Sequence, residues 1–529
     1  MDISGKNIIG STSSAEGKDT FRGFNPSEGK ALWPAFHEAS GAEVARAADL
    51  ADQAALAMRE LTADHVVGFL LGMREEIANL GDQLIERAAQ ETGLPHDRLK
   101  GERERTLNQI KLFADIVNEG SWVDARIDTA LPDRKPLPRP DIRRMLQPIG
   151  AVAVFGASNF PLAFSVAGGD TVSAFATRNP VVVKAHPAHP GTSDLVGRAI
   201  SRAVKASGMP EGTFSMLHGV RPETSLALVT HPKIRAVGFT GSLRAGRALF
   251  DAAARRPDPI PVYAEMGSVN PVFVLPGALA ANSRAVAESL SRSVLLGVGQ
   301  FCTCPGLVFG IDGDGFREFQ KHLTELFEQA APATMLNPAI LKGFTQNFQE
   351  AAQISGVQKQ ISSRAAVAEK TEGQPGLLTT TSETWLKNKT LHEEIFGPAT
   401  VLVHSGSAEE LLQIAAALEG TLTATILGTA EELAQQGELI TVLSRKAGRL
   451  IFNGYPTGVE VGYAMHHGGP YPATTDPKFT SVGATAIYRF AVPVCYQNFP
   501  EHLLPPELQN SNPRNIWRTV NGQLTRDRV

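Results

Sequence analysis

The sequence predicts an α/β fold built on an open, parallel sheet of the Rossmann type. From Pro148 onward, short apolar segments alternate with helical ones, as in successive βαβ units. The apolar segments are nearly continuous in hydrophobicity, which is typical of strands covered on both faces. The hydrophobic content of 43% suffices to build the cores of such a fold. The predicted strands are Ala151–Phe155, Val181–Val183, Thr213–Leu217, Ala236–Phe239 and Pro261–Ala264, and the predicted helices are Ser165–Ala176, Thr192–Ser207, Glu223–Val229 and Arg244–Ala254.

Three further regions flank this unit. Residues Ala42 to about Glu119 are predicted to be helical, because apolar side chains recur three and four positions apart. Asp124–Asp141 is rich in proline and charge, so it is either a linker or an exposed β ribbon with strands at Ala125–Asp128 and Arg143–Leu146. A second α/β unit is expected from about Asn270 to Gly454, and the prolines near the C-terminus argue against long helices there.

Composition excludes several classes of protein. A net charge of −4 and the lack of a basic cluster argue against nucleic-acid binding. Three cysteines cannot form a disulfide framework, so we expect a reducing, cytoplasmic location. Met1–Gly10 shows no signal-peptide pattern, and no apolar run approaches the ~20 residues that span a bilayer, so no membrane partner is expected.

Two of the cysteines, Cys302 and Cys304, lie in a glycine-flanked turn between the helical run Ala281–Val298 and the apolar segment Gly306–Gly310. A cysteine at such a junction can project into a cleft, where its thiolate is a strong nucleophile. The alternative is a small buried hydrophobic residue, as most free cysteines are. Because Cys495 is remote in sequence, no four-ligand zinc pattern exists and no metal site is predicted.

Asn159 and Glu265 lie at the ends of predicted strands. An asparagine amide in this position can donate a hydrogen bond to a developing oxyanion, although it can equally satisfy a turn. A carboxylate between apolar walls has a raised pKa and can act as a general base near neutrality. The alternative for Glu265 is a solvated side chain, which is less common at the end of a buried strand.

Two other segments suit a nucleotide. Phe239–Ser242 ends a strand and opens a helix, so Ser242 is expected to cap that helix, whose free N–H groups attract phosphate; a cap without a ligand is an equal alternative. No G-x-G-x-x-G or Walker A pattern is present. In His392–Pro398, Glu394 can accept hydrogen bonds from ribose hydroxyls and Phe396 can pack on a flat ring, unless the segment is only a charged turn.

The combination and order of these segments resembles the aldehyde dehydrogenase superfamily over nearly the whole chain. The resemblance implies an aldehyde dehydrogenase-like fold, with a Rossmann-like cofactor domain, an α/β catalytic domain and a β oligomerisation ribbon. The resemblance is interrupted at Met266–Asn270, where many members of the superfamily have a leucine, two glycines and a lysine. The matching segments are Asn159-Phe160-Pro161, Val183-Lys184, Phe239-Thr240-Gly241-Ser242, Gly299-Gln300-x-Cys302 and Glu394-Ile395-Phe396-Gly397-Pro398.

By this resemblance, Cys302 is the nucleophile that attacks the aldehyde, and the Asn159 amide and the Cys302 backbone N–H hold the oxyanion. Hydride transfer to a nicotinamide leaves a thioester, which water activated by Glu265 hydrolyses. The presence of Glu265 makes a CoA-acylating enzyme less favoured, and the three residues together argue against a non-catalytic member. Cys304 matches no role in the family.

The same resemblance implies the cofactor residues. Lys184 is expected to hold the adenosine ribose, Thr240, Gly241 and Ser242 to lie near the pyrophosphate, and Glu394 and Phe396 to position the nicotinamide ribose and ring. NAD-preferring members often carry a glutamate three residues after the lysine, where this chain has Pro187. We therefore expect NADP to be preferred and NAD tolerated, with Arg221 pairing with the 2′-phosphate.

The substrate expectation comes from the distal segments Thr475–Gly483 and Pro493–Asn498, which are similar to the α-ketoglutaric semialdehyde (2,5-dioxovalerate) dehydrogenases. This similarity implies oxidation of 2,5-dioxopentanoate to 2-oxoglutarate; the alternative is a broad aliphatic or fatty aldehyde dehydrogenase. A substrate carboxylate needs a cation, for which Arg292 is the candidate, against the alternative of a solvent-facing arginine. Phe164 and the loop Val459–His467 are expected to line the tunnel. The neighbouring histidines His466 and His467 can contact the substrate, although paired histidines more commonly belong to a surface loop, which is the interpretation adopted for them.

The resemblance also predicts the organisation of the chain. A symmetric homodimer or homotetramer is expected, with the oligomerisation ribbon and distal strands around Ser481–Phe490 joining the subunits. The predicted parts are a cofactor-binding domain (1–122 and 149–265), a catalytic domain (266–470), the ribbon (123–148 and 478–500) and a C-terminal extension (501–529).

Overall fold

The computed structural model describes residues 3–529 and contains two seven-stranded sheets and a five-stranded sheet. The five predicted strands form the parallel part of the first sheet. Two further strands, which the sequence did not predict, extend one edge of this sheet in antiparallel orientation: Asn7–Ile9 and Thr12–Ser14. The α/β class is therefore confirmed. In spatial order, the strands are Val262–Glu265, Ala236–Thr240, Val152–Phe155, Val181–Lys184, Phe214–Leu217, Asn7–Ile9 and Thr12–Ser14.

Helices cover both faces of the first sheet. Successive strand residues point to opposite faces, so neighbouring residues belong to different hydrophobic clusters. Val152 and Val154 belong to one buried cluster, and Ala153 and Phe155 belong to another. The long helical region of the sequence forms four helices, and the longest, His96–Glu119, supplies side chains to the site described below. The helices are Gly41–Arg59, Ala63–Ala78, Gly81–Thr92, His96–Glu119, Gly169–Ala176, Pro190–Ala206, Pro222–Thr230 and Leu243–Ala254.

The second sheet is parallel except for one edge strand, Gln358–Ile361. It too is buried on both faces, with Phe273 and Phe309 in one cluster and Val272 and Val308 in the other. Its strands in spatial order are Gln358–Ile361, Gly376–Thr381, Ala399–Ser405, Leu307–Ile311, Val272–Val274, Thr421–Leu427 and Ala447–Phe452. Its helices are Pro276–Leu295, Asp314–Gln329, Pro338–Ala352, Ser382–Lys387, Ala408–Ala417, Ala430–Gln435 and Gly437–Leu443.

The third sheet contains the predicted ribbon. The prediction of strands around Ser481–Phe490 is wrong. Ala484–Phe490 forms a 3₁₀ helix instead, because Ile487 and Phe490 pack into the hydrophobic core beside the first sheet. The strand begins at the next residue. The last residues of the chain, predicted only as an extension, add two strands to this sheet. The spatial order is Ala491–Gln497, Ile142–Pro148, Arg126–Asp128, Arg518–Val520 and Gln523–Thr525.

Short elements complete the fold. Thr20–Asn25 pairs with Lys30–His37, and Ala333–Thr334 pairs with Glu372–Gly373. Within residues 3–529, no helix combines the length and the apolar character needed to cross a membrane. The remaining 3₁₀ helices are Ser121–Val123, Leu296–Gly299, Ala368–Lys370, Lys389–His392, Glu501–Leu503 and Pro506–Leu508.

The strand register gathers the predicted site residues at one edge of the first sheet. Lys184 is paired with Phe155, and Thr240 is paired with Glu265. These residues end their strands, and ligands of parallel sheets bind at the carboxyl ends.

Candidate active site

A strained turn presents Cys302. Gly297, Val298 and Gly299 have φ values of 58°, 59° and 68°, and this left-handed conformation is unusual for a β-branched residue such as Val298. A Cβ on Gly299 would lie 1.9 Å from the carbonyl oxygen of Gly397, so only glycine fits. The turn and the Glu394–Pro398 segment, which sequence analysis treated separately, are therefore packed against each other.

Asn270 holds the turn that contains Cys302 through hydrogen bonds to its backbone. Its Nδ2 donates to the carbonyl oxygens of Cys302, at 2.8 Å, and Cys304, at 3.0 Å. The Ser268 hydroxyl in turn donates to Asn270 Oδ1 at 2.9 Å, and it accepts from the backbone N–H of Leu422 at 2.9 Å. Ser268 and Asn270 lie in the segment that departs from the family pattern, and the departure marks a buried hydrogen-bond network that sequence analysis missed.

Cys302, His467 and Glu265 form a connected group. Cys302 Sγ lies 3.4 Å from His467 Nε2, and the same nitrogen lies 3.1 Å from Glu265 Oε1. The Ser481 hydroxyl donates to Glu265 Oε2. Both His467 and Glu265 are almost fully buried, whereas Cys302 is half-buried.

The surface-loop interpretation of the paired histidines is wrong for His467, whose exposed fraction is 1%. Its backbone N–H donates to Thr480 Oγ1 at 2.7 Å, and the backbone N–H of Ser481 donates to the His467 carbonyl at 2.9 Å. Glu265 also forms a β-bridge with Thr474. The chain after the second sheet thus returns to the first sheet and delivers two partners to Glu265.

Burial and the nearby Glu265 charge raise the pKa of the Cys302 thiol well above its usual value, so the resting side chain is a thiol. The raised pKa expected for Glu265 is wrong. Burial favours a rise, but His467, Ser481 and Cys302 together lower the pKa of the carboxyl below its usual value. Since the carboxylate is ionised, His467 Nε2 must carry a proton to donate to it.

Asn159 lies beside the same turn. Its Nδ2 donates to the carbonyl oxygen of Gln300 at 3.0 Å, which leaves its second amide hydrogen available. The guanidinium of Arg98 fixes the position of Asn159 by donating to its backbone carbonyl oxygen at 2.7 Å. Within residues 3–529, the backbone N–H of Cys302 donates to no protein acceptor. The two predicted oxyanion donors therefore lie next to each other along the turn.

A cavity of about 520 Å³ opens beside Cys302. Phe164 lines it, as expected, and its ring lies 5.3 Å from that of Phe160, measured between centroids. Arg292 does not line it: the side chain is exposed and donates to Ser289 Oγ at 3.2 Å. The structure instead brings two other arginines there. The lining residues are Arg105, Phe160, Phe164, Phe301, Cys302, Thr303, Arg449, Gly458, Val459, Glu460, Met465 and His467.

Lys184 and Arg221 differ in their surroundings. Burial, partly offset by Glu38, lowers the pKa of Lys184 to about 8, and within residues 3–529 its ammonium has no hydrogen-bond or ion-pair partner. Arg221 Nε donates to Glu38 Oε2 at 2.7 Å, and its Nη2 pairs with Asp19. Lys184 is thus available to a ligand, whereas Arg221 already faces two carboxylates.

The predicted cap at Ser242 is confirmed, since its hydroxyl accepts from the backbone N–H of Ala245 at 3.3 Å. Gly241 and Ser242 are exposed and Thr240 is half-buried, so the start of this helix is open to a ligand.

Glu394 and Phe396 are both half-buried. Burial raises the pKa of Glu394 to about 7, and its carboxylate accepts from the backbone N–H of Ser268. A Cβ on Gly267 would lie 2.6 Å from Glu394 Oε2, so glycine gives the carboxylate its space.

Glu265, Cys302 and His467 are three kinds of metal ligand, and their ligand atoms lie within 4.8 Å of one another. His467 Nε2 already serves both neighbours, and no fourth histidine, cysteine or acidic ligand joins the group within residues 3–529.

Known proteins are similar to this chain over nearly its whole length. The aldehyde dehydrogenase family matches residues 12–471. Alpha-ketoglutaric semialdehyde dehydrogenase 2 of Azospirillum brasilense is 48% identical over 526 residues, which cover 99% of this chain and 100% of that protein. Alpha-ketoglutaric semialdehyde dehydrogenase of Acinetobacter baylyi is 46% identical over 524 residues, which cover 99% of each.

Solved structures share the fold at lower identity. Lactaldehyde dehydrogenase from Escherichia coli superposes with a TM-score of 0.80 at 20% identity, over 93% of this chain and 98% of that one. A betaine aldehyde dehydrogenase from Staphylococcus aureus, solved with NAD⁺, gives 0.80 at 16% identity, over 94% and 98%. The chain belongs to the aldehyde dehydrogenase family.

Proposed function

We propose that this enzyme oxidises 2,5-dioxopentanoate (α-ketoglutaric semialdehyde) to 2-oxoglutarate with a nicotinamide cofactor. The observation that carries the proposal is the hydrogen-bonded Cys302–His467–Glu265 group, which opens onto a cavity of about 520 Å³. The proposed substrate is taken from the two relatives described above. Their names specify this semialdehyde, and they match almost the full length of the chain.

The reaction begins at the Cys302 sulfur. The thiol proton passes to solvent, and attack of the sulfur on the aldehyde carbon forms a carbon–sulfur bond while the carbonyl oxygen becomes an oxyanion. The second amide hydrogen of Asn159 and the backbone N–H of Cys302 are the donors placed to stabilise it. His467 Nε2–H is positioned to donate to the sulfur while it is anionic.

The residues present suit the cofactor. The unpartnered Lys184 ammonium fits a ribose hydroxyl, the open helix start at Ser242 fits a pyrophosphate, and the space beside Gly267 fixes Glu394 for the second ribose. When bound, the nicotinamide supplies the acceptor for the hydride that leaves the thiohemiacetal carbon. Phe396 is proposed to position the ring from the same segment as Glu394.

Hydrolysis of the resulting thioester is proposed to use Glu265. Its carboxylate is ionised, so it can accept a proton from the water that attacks the thioester carbon. The carbon–sulfur bond then breaks, the acid leaves, and the proton held by Glu265 passes to the sulfur, which restores the Cys302 thiol. In the resting enzyme His467 and Ser481 donate to the carboxylate and hold it in place.

A preference for NADP remains a proposal. Pro187 presents no carboxylate against a 2′-phosphate, which supports it. Arg221 supports it less than the sequence indicated, because Glu38 and Asp19 already balance its charge.

The domain boundaries and the homodimer or homotetramer also remain proposals. An exposed edge on Ala491–Gln497, which pairs on one side only, supports a role for the third sheet in joining subunits.

A substrate panel with both cofactors tests the function. We expect kcat/KM for 2,5-dioxopentanoate to exceed that for pentanal and long-chain aldehydes, and to be higher with NADP⁺ than with NAD⁺. A long-chain aldehyde as the best substrate would favour the broad-specificity alternative, and equal or better kcat/KM with NAD⁺ would refute the cofactor preference.

A further inference from the structure

Arg105 extends from the helix His96–Glu119 into the cavity beside Cys302. Its guanidinium carbon lies 5.2 Å from the centroid of the Phe164 ring, and Nη2 donates weakly to the Val459 carbonyl at 3.4 Å. Nη1 is buried and has no hydrogen-bond partner among the described residues, 3–529. A buried donor without a partner is costly, so a cavity next to it indicates a missing acceptor.

Arg449, on a strand of the second sheet, approaches the same cavity. It donates to the carbonyl oxygens of Pro456, at 2.9 Å, and Gly458, at 3.5 Å, while its buried Nε has no partner in the part of the chain that the structure describes. Neither this guanidinium nor that of Arg105 forms an ion pair with any carboxylate within residues 3–529. Two half-buried cations thus share one cavity without a carboxylate partner among residues 3–529.

The other residues that line the cavity do not supply a carboxylate that pairs with either arginine. Glu460 is exposed at the cavity margin and interacts with Arg105 only at a distance. Both guanidinium groups are close enough to interact electrostatically with Cys302. A substrate that bonds to the sulfur can therefore place its other end near both cations. The remaining wall is mostly aromatic and aliphatic, which suits a short methylene chain.

We infer that Arg105 and Arg449 form the subsite for the terminal carboxylate of the substrate, and that they select aldehydes whose far end is a 2-oxo acid or a simple carboxylate. The inference rests on the proposed function and deepens it by naming the residues that set specificity. Arginine suits this task because its planar group binds a carboxylate through two parallel hydrogen bonds. These residues replace Arg292, which lies outside the cavity.

A competing interpretation is that both arginines only support the loop at residues 456–460, whose carbonyls they contact. A purely structural role predicts equal losses for all aldehydes. A carboxylate subsite predicts losses confined to anionic aldehydes and expressed mainly in KM.

Steady-state kinetics of Arg105→Met and Arg449→Met distinguish the two. The substrates are 2,5-dioxopentanoate, succinate semialdehyde and neutral pentanal. We expect each substitution to raise KM for the two anionic aldehydes by about 10- to 100-fold and to leave kcat/KM for pentanal within about twofold. Lysine at either position should recover part of the loss, because it keeps the charge. Arg445→Met, an exposed arginine outside the cavity, is the matched control.

Glu460→Gln should change KM in the opposite direction, and it only neutralises the charge of an exposed side chain. Because the carboxylate repels an anionic substrate, its loss should lower KM for 2,5-dioxopentanoate by about two- to fivefold. Equal losses for pentanal, or unchanged KM values in both methionine variants, would overturn the inference. If Arg105→Met does not fold, Arg449→Met and Glu460→Gln decide, and unchanged KM values in both would overturn it.

The proposed function can fail separately. If the wild-type enzyme does not prefer 2,5-dioxopentanoate to pentanal, the substrate proposal is wrong. Succinate semialdehyde then still tests the carboxylate subsite through the same variants.

Discussion

Cys302 and Cys304 are two positions apart in one turn, yet their surroundings differ. Cys302 lines the cavity and contacts His467, whereas Cys304 packs in the core of the second unit with its thiol directed at the Val294 carbonyl, 3.6 Å away. Burial raises the pKa of both thiols, so acidity does not distinguish them. The difference teaches that access and hydrogen-bond partners, and not acidity, distinguish the two cysteines, which supports Cys302 as the proposed nucleophile and a structural role for Cys304.

The largest expected effect is the contrast between the two serine variants. Cys302→Ser should lower kcat by about 10⁴-fold or more, because the covalent step is lost. Cys304→Ser should retain most of the activity, since its sulfur contacts no reacting atom. Rates of NAD(P)H formation with 2,5-dioxopentanoate check both, and the reverse pattern would contradict the assignment.

Glu265→Gln should separate the chemistry of the thiol from hydrolysis. We expect kcat to fall by about 10²–10³-fold, because no carboxylate remains to accept a proton from water. At the same time Cys302 should react faster with iodoacetamide at a fixed pH between 7 and 9, because the Glu265 charge contributes to its raised pKa and more thiolate forms without it.

Peptide mass spectrometry measures this alkylation residue by residue, with exposed Cys495 as the internal reference. In the wild type, the Cys302 rate should fall about tenfold for each pH unit below its pKa. Slower labelling of Cys302 in Glu265→Gln would mean that the carboxylate promotes, rather than opposes, thiolate formation.

His467→Leu should lower kcat by about 10- to 100-fold, because both Glu265 and Cys302 lose a hydrogen-bond donor. His467 is one of the groups that lower the Glu265 pKa against burial, so its loss should raise that pKa. Since the ionised carboxylate is required, activity should disappear at a higher pH as the solution is acidified. His467→Gln, which keeps an N–H donor, should recover part of the rate; a pH profile identical to that of the wild type would exclude this coupling.

The smallest expected effect concerns the cofactor. With a pKa of about 7, Glu394 is ionised above neutrality and protonated below it. The ionised form accepts hydrogen bonds through both oxygens and carries a charge, whereas protonation turns one oxygen into a donor, so the Kd of the cofactor should rise by up to about tenfold between pH 8 and pH 6. Fluorescence titration measures this rise, and Glu394→Gln should flatten it. An equal rise in that variant would assign the titration to another group.

Much of this organisation could be predicted from the sequence. Continuous apolar runs located the central strands. Lys184 and Glu265, which end two of them, and Asn159, which follows a third, lie at the same edge because parallel strands share one carboxyl edge. The Cys302 turn and the Glu394 segment were identified as motifs, and the glycines within them explain their contact.

The partners of these residues could not be predicted. His467 lies 165 positions from Cys302, and its approach depends on how the chain returns from the second sheet to the first. Arg105 lies on the helix His96–Glu119, and arginines on helices of globular proteins commonly face solvent, so periodicity alone does not show that this turn of the helix borders a cavity. Arg292 was a plausible cation on the helix before Cys302, but that helix exposes it to solvent.

The most direct test of the central claim is to trap the acyl-enzyme. Glu265→Gln should form the thioester but hydrolyse it slowly, so mixing it with 2,5-dioxopentanoate and NADP⁺ should yield a burst of NADPH and an acyl adduct on the peptide that contains Cys302. Treatment with hydroxylamine should remove the adduct. A burst without an adduct, or an adduct on Cys304 and not on Cys302, would contradict the account.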